Sequence, residues 1–389
     1  MRKTALILVF TGINCLGTAC RQGPQPSAPE GPPPLAEALG SAAAAGFEQA
    51  LAPRPFAFPA DHGPHPGFRN EWWYLTGNLD DAAGRRYGYE LTLFRFRLQP
   101  SAPARTSRWA TNQVYVGHFA VSDVAAGEFH VSERMARGAL GLAGAAAEPL
   151  RVWLYDWTIQ RRPRQDGSAA VWQLGASGDG ASLALTLTAT RSPVPHGDQG
   201  LSRKSAAPGN ASYYYSVPRL ATSGQLVIDG RPHEVDGLSW LDREWSSSAL
   251  AAGQAGWDWF SLQLSDGSDL MFYRLRRRDG STDPHSAGTF MPADAAARHV
   301  GHDALELDVL AHWESPAGAS YPAAWRLRIA REDLELHIRP VLANQELDTW
   351  IRYWEGAVDV SGTRGGHAVD GRGYVELTGY AAGGGLPPR

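Results

Sequence analysis

Trp72-Trp73-Tyr74-Leu75-Thr76-Gly77-Asn78-Leu79, an Asp/Gly turn and Leu91-Thr92-Leu93-Phe94-Arg95-Phe96-Arg97 read as one β-hairpin. The arrangement returns as Trp257-Asp258-Trp259-Phe260-Ser261-Leu262-Gln263-Leu264, the turn Ser265-Asp266-Gly267-Ser268, and Leu270-Met271-Phe272-Tyr273-Arg274-Leu275-Arg276. Both copies open on paired tryptophans and close on an aromatic-Arg-apolar-Arg strand, so the repeat predicts two similar β domains in tandem. The second turn sets its two strands antiparallel, and a two-residue spacing puts Trp257 and Trp259 on one face. Outward from the hairpins, Leu183-Ala184-Leu185-Thr186-Leu187-Thr188, Trp325-Arg326-Leu327-Arg328-Ile329 and Leu334-Glu335-Leu336-His337-Ile338 alternate apolar with small or polar residues, as half-buried strands do.

Composition agrees. The chain has 389 residues, 43% of them hydrophobic and 20% charged, enough for a sizeable core. Its 43 Gly and 27 Pro demand many turns and disfavour long helical bundles, while 14 Trp, 13 Tyr and 12 Phe suit strands and apolar pockets. Lys and Arg number 36 against 40 Asp and Glu, a net charge of -4 with no basic excess for a phosphate backbone; nucleic acid is not an expected partner.

Arg2-Lys3, the apolar residues 5–13 and the small Gly17-Thr18-Ala19 have the order of a secretory signal, so export to the cell envelope is expected. Cleavage before Cys20 would leave one cysteine in the mature chain, unable to form an internal disulfide. The site resembles a bacterial lipoprotein box, with Gly17 where leucine is usual. Lipidation at Cys20 and anchoring to the membrane are the expectation. The expected organisation is a signal over residues 1–20, a Pro/Ala-rich tether over 21–55, an N-terminal domain over 56–220, a C-terminal domain over 221–382 and a tail over 383–389, with the domain boundary near 218–224.

No G-x-S-x-G elbow, H-E-x-x-H, Walker loop or G-x-G-x-x-G is present, so the common hydrolase, zinc-protease and nucleotide-binding readings lose support. His62 and His65 lack neighbouring ligands and read as part of a Pro/Gly loop, so no metal and no cofactor is expected. Asp242-Arg243-Glu244-Trp245 packs charges beside tryptophan. A carboxyl held against rings favours its neutral form and can donate a proton near neutral pH; equally, Arg243 could satisfy Asp242 or Glu244 in an ion pair. In Asn70-Glu71-Trp72-Trp73-Tyr74 alternation puts Glu71 and Trp73 on one face and Trp72 and Tyr74 on the other. Likewise Glu90 and Arg95 oppose each other on the following strand. His118 shares a face with Val116, Ala120 and Ser122, as a pocket acid/base or a hydrogen-bonded core histidine.

Six stretches in order carry a resemblance: Asn70-Glu71-Trp72-Trp73-Tyr74, Tyr89-Glu90-Leu91-Thr92-Leu93-Phe94-Arg95, His118-Phe119-Ala120, Tyr214-Tyr215-Ser216, Asp242-Arg243-Glu244-Trp245 and Gly256-Trp257-Asp258-Trp259. Together they resemble the AttH-type lipocalin-like family, related to the carotenoid 1,2-hydratases (hydroxyneurosporene synthases), some of whose members are labelled predicted secreted hydrolases. The resemblance spans roughly residues 55–380. It implies an all-β chain of two tandem lipocalin-like antiparallel β-barrels packed together. The hydratases add water across a double bond of an apolar polyene, which needs a strong proton donor in a greasy pocket. Their second-domain motif is similar to residues 242–245 but carries histidine where this chain has Arg243, and an acid expected after Tyr273 is replaced by Arg274-Leu275. Arginine does not release its proton, so the resemblance implies the fold rather than the activity.

Two functional expectations stand together. One is an exported lipoprotein that binds a hydrophobic lipid- or terpenoid-like molecule and serves a transporter. The other is a hydro-lyase or isomerase using acid catalysis on such a molecule. Asp242, Glu244 and His118 are the candidate proton-transfer groups. Trp73, Arg95, Arg243, Trp245, Trp257, Trp259 and Tyr273 are the candidate ligand contacts. A third, bland expectation is an envelope protein whose barrels are filled.

Overall fold

The computed structural model describes residues 45–163, 170–248, 250–251 and 253–381. The signal, Cys20, the tether up to residue 44 and the tail over 383–389 lie outside the described residues. The described residues hold twenty-three strands and two single 3-10 turns joined by loops, with no α-helix among them. The first sheet holds β1 (Asn70–Asp81), β2 (Arg86–Arg97), β3 (Gln113–Asp123), β4 (Glu128–Arg137), β5 (Ala143–Ala147), β6 (Leu150–Leu154), β7 (Trp157–Arg162), β8 (Val171–Ser177), β9 (Ala181–Ala189), β10 (Val194–Pro195), β11 (Leu201–Arg203), β12 (Ala211–Ile228) and β13 (Arg231–Ser246). The second holds β14 (Gln254–Leu264), β15 (Asp269–Arg277), β16 (Ala287–Met291), β17 (Arg298–Gly301), β18 (Glu306–Glu314), β19 (Ser320–Ile329), β20 (Leu334–Pro340), β21 (Glu346–Leu347), β22 (Tyr353–Arg364) and β23 (His367–Leu377).

All pairings are antiparallel. The main order of the first sheet is β4-β3-β2-β1-β13-β12-β9-β8-β7-β6-β5. Contacts of β5 and β6 with β3, and of β6 with β4, draw its edges together into a nearly closed barrel. The second sheet, β17-β16-β15-β14-β23-β22-β20-β19-β18, forms a half-barrel. The hairpins deduced from the repeat are both present, β1 with β2 and β14 with β15, the latter in the register Leu262↔Leu270.

Two boundaries differ from expectation. The first sheet runs past residue 220 to Ser246, because β12 and β13 are long strands paired from Ser212↔Ser246 to Ile228↔Arg231. What reads as a linker near Pro218 is a bulge between Val217 and Leu220, where a residue without an N–H can sit inside a strand. Farther along, neighbouring backbone approaches both strands closely, at Gly224 and Gly237. A Cβ there would lie 2.2 Å from the carbonyl oxygen of Ala184 or of Asn78. The tether also ends before Pro55. Glu48 N–H donates to Gly67 O at 3.0 Å, Tyr213 OH donates to Ala52 O at 2.9 Å, and Ala50 is buried in the barrel core.

Alternation gives the shared strands two buried faces. On β1, Trp73, Leu75 and Leu79 point into the first barrel, joined by Leu241 and Trp245 of β13. On β14, Phe260, Leu262 and Leu264 enter the core of the half-barrel with Trp325 and Trp354. The intervening residues face the other sheet and form a third cluster, including Tyr74, Tyr214, Trp240, Trp259 and Tyr273. Burying each such side chain contributes on the order of 1.5–3 kcal/mol, so the sheet-to-sheet seam is a core in its own right. Arg219 and Arg191 clamp it at one end, donating to Asp269 at 2.8 and 2.6 Å.

Candidate functional site

A cleft of about 1250 Å³, counting the part open to solvent, lies in this seam. One wall is the outer face of the barrel: Trp72 and Tyr74 from β1, Phe94 and Phe96 from β2, His118 from β3, Tyr214 from β12, and Asp242 and Glu244 from β13. The facing wall carries Trp257 and Trp259 from β14, Tyr273 from β15, Tyr353 and Glu355 from β22, and Glu376 from β23. The period of two decides membership. Trp72 lines the cleft while Trp73 fills the barrel, and Asp242 and Glu244 line it while Arg243 and Trp245 do not.

Trp73, Arg95, Arg243 and Trp245 therefore do not meet a molecule in the cleft. They pack inside the barrel around Glu71, whose carboxylate is paired with Arg95 and lies 3.1 Å from Arg243 Nη2. Arg243 also donates to the carbonyl oxygens of Trp72 and Gly63 and lies 4.0 Å from the Trp73 ring centre, while His65 stacks on Trp245 at 3.6 Å. The expected pairing of Arg243 with Asp242 or Glu244 does not occur, because adjacent strand residues point to opposite sides of the sheet. Arg274, after Tyr273, likewise turns away from the cleft and donates to Asp258 at 2.9 Å.

Asp242, Glu244, His118, Trp257, Trp259 and Tyr273 do come together around the cleft. Asp242 accepts hydrogen bonds from Ser216 Oγ, from the Tyr214 hydroxyl, and from Trp240 Nε1 at 2.6 Å. Burial nevertheless outweighs these bonds and pushes its carboxyl up to about 7. Glu244 is held by Ser212 and by Lys204, whose Nζ is 3.1 Å away. His118 is fixed on both ring nitrogens, Nδ1 at 2.7 Å from the Tyr353 hydroxyl and Nε2 at 3.1 Å from Glu133. Trp259 Nε1 donates to Tyr214 OH at 2.9 Å, tying one wall to the other.

Glu355 and Glu376 were not among the expected residues. They are cross-strand partners on β22 and β23, and both line the cleft. Burial pushes Glu376 up to about 8, and burial beside Glu90 and Glu376 also raises Glu355. Glu90, enclosed in the seam on β2 with neither carboxyl oxygen hydrogen-bonded, is raised to about 8 by burial. A signal for the pair exists in the sequence: Tyr353-Trp354-Glu355 and Tyr374-Val375-Glu376 each set an acid two residues after a tyrosine, with an apolar residue between them. Like the hairpin tryptophans, tyrosine and acid share the seam face.

These raised carboxyls predict a stability that falls with pH. Each keeps its proton in the fold above the pH where the unfolded chain releases it, so stability is full below about pH 4 and declines through about pH 8. Glu90→Gln is expected to flatten that slope and to make the protein more resistant to urea at pH 9 than the parent. Denaturation midpoints at pH 5 and pH 9 check this; parallel behaviour of the two proteins would refute it.

The comparisons agree with this architecture. A family model described as AttH-like matches residues 49–380. The chain belongs to the AttH-like family. The crystal structure of an AttH protein from Nitrosomonas europaea is 36% identical with a TM-score of 0.74, covering 85% of this chain and 100% of that one. Kievitone hydratase from Nectria haematococca shares the fold at 17% identity, with a TM-score of 0.65, covering 86% of this chain and 97% of that one. No functionally curated protein matches the sequence.

Proposed function

We propose that the cleft of this AttH-like protein binds a hydrophobic, unsaturated small molecule and moves protons to and from it, as a hydro-lyase or isomerase does. One observation carries the reading: Asp242 on one wall, and Glu355 with Glu376 on the other, are carboxyls held toward their neutral forms inside an aromatic cleft. A carboxyl raised to about 7 is about half protonated at neutral pH, which suits both giving and taking a proton. Protonating an isolated double bond creates a carbocation, and the faces of Trp72, Trp257 and Trp259 would stabilise it. The Asp242 carboxylate left by that transfer would then take a proton back from an adding water or from the neighbouring carbon. A binding site with no chemistry would gain nothing from enclosing these acids, since each costs stability when ionised. The fold shared with a protein named as a hydratase is consistent with this reading.

The test is incubation with organic extracts of the native cells in deuterated water, followed by mass spectrometry. Deuterium fixed to carbon by the parent protein and not by Asp242→Asn is expected. Apolar molecules that co-purify and quench tryptophan fluorescence, but never acquire deuterium, would leave the cleft as a carrier site and defeat the catalytic reading.

In the same proposal the protein works at the cell envelope, held by a lipid on Cys20 and exchanging its ligand with a transporter. An acyl chain contributes about 0.8 kcal/mol per buried CH₂. Cys20→Ser is therefore expected to move the protein from the membrane to the soluble fraction, and membrane association retained by that variant would count against the anchor.

A further inference from the structure

Behind Asp242, on the side away from the cleft, a hydrogen-bonded chain continues through the seam. Ser216 Oγ donates to Asp242 Oδ1, and His196 Nε2 lies 2.6 Å from the same Ser216 oxygen. The other ring nitrogen of His196, Nδ1, lies 2.8 Å from Thr289 Oγ1. Ser216, His196 and Thr289 are all buried and none of them lines the cleft. Thr289 pairs across the half-barrel's outermost strands with His299 on β17, and His299 is exposed. The backbone of His196 is fixed as well, its N–H donating to Tyr214 O at 3.0 Å.

With Asp242 ionised, one set of donors satisfies every bond. Ser216 gives its hydrogen to Asp242, so its oxygen accepts from His196 Nε2–H. Nδ1 is then unprotonated and accepts from the Thr289 hydroxyl. Each hydrogen points toward Asp242. Burial beside Lys204 and His299 pulls His196 down to about 3, so the ring is neutral and carries one proton to pass.

We infer that Ser216, His196 and Thr289 form a proton relay that connects Asp242 to solvent at the β16–β17 edge, so that its proton is exchanged while the cleft is occupied. The inference rests on the proton-transfer reading of Asp242. In one passage Ser216 Oγ–H moves to Asp242, His196 Nε2–H moves to Ser216, and Thr289 Oγ1–H moves to His196 Nδ1. A proton from solvent, by way of His299, restores Thr289. One proton enters and one arrives, and the hydrogen bonds finish pointing outward, ready to carry a proton the other way. His196 is a positioning and relay residue, since it touches neither the cleft nor anything bound there.

The test fills the cleft and watches the acid's proton. Protein saturated with 1-aminoanthracene, its binding followed by the probe's fluorescence, is mixed rapidly into deuterated water, and infrared spectroscopy follows the C=O band that Asp242→Asn removes. The band is expected to shift promptly in the parent and at least about tenfold more slowly in His196→Gln, which keeps both hydrogen bonds but cannot pass a proton between its two ends. Thr289→Val, at the far end of the chain, should slow it similarly if His196→Gln does not fold. Unchanged exchange in both variants would overturn the relay while leaving Asp242 as a proton donor. Absence of any Asp242 band from the parent at neutral pH would overturn the donor reading and the relay together.

Discussion

Glu71→Gln is expected to cost the fold about 3–5 kcal/mol, because it leaves the guanidinium groups of Arg95 and Arg243 enclosed in the first barrel without a counter-charge. The two arginines are 1% and 0% exposed, so water cannot take over the role of the carboxylate. The loss has a defined pH dependence. Arg95, His65 and Arg243 hold Glu71 well below the usual carboxylate range despite its burial, so its contribution is complete above about pH 4.5 and fades as pH falls toward the lowered folded value. The difference between parent and variant should be largest at neutral pH and narrow toward pH 2. Urea denaturation at both pH values checks this, and equal midpoints at pH 7 would show that the barrel interior does not depend on the triad. The same change should leave the charge of the cleft untouched, because Glu71 is on the opposite face of β1.

Asp242→Asn is expected to lower turnover by about 10² to 10⁴ while changing KM little, since asparagine preserves the shape of the wall but supplies no exchangeable acid. The parent's rate should fall on the alkaline side with an apparent midpoint near 7, and that limb should vanish in the variant. Stability should move the other way. Asp242 is raised from its ordinary value of 3.8 to about 7, so the parent loses on the order of 4 kcal/mol between pH 4 and pH 7 from this group, a loss the non-titrating variant avoids. A variant with full turnover would remove Asp242 from the chemistry.

Much of this was legible along the chain, and the reason is the short period of the strand. Paired tryptophans before two similar hairpins located β1–β2 and β14–β15, and the two-residue spacing of Trp257 and Trp259 put both on one wall. The same rule, applied to Asp242-Arg243-Glu244-Trp245, separates the acids facing the cleft from the arginine and tryptophan facing the core. Treating the four as one constellation missed this. The partner of Arg243, Glu71, is 172 residues distant and meets it only because β1 pairs with β13. Glu355 and Glu376 were hidden for a related reason. An acid within an apolar strand reads as solvent-facing until a second sheet is known to cover that face.

A strand covered on both sides carries two messages, interleaved one residue at a time. On β1 the odd-numbered set 71, 73, 75 and 79 maintains the barrel, while 70, 72 and 74 shape what the cleft can hold. Relatives can therefore diversify one register without rewriting the other. A library that randomises only Trp72, Phe94, Trp257 and Trp259 should yield mostly folded proteins with altered ligand preference, whereas the same mutational load shifted by one residue along each strand should yield mostly unfolded ones.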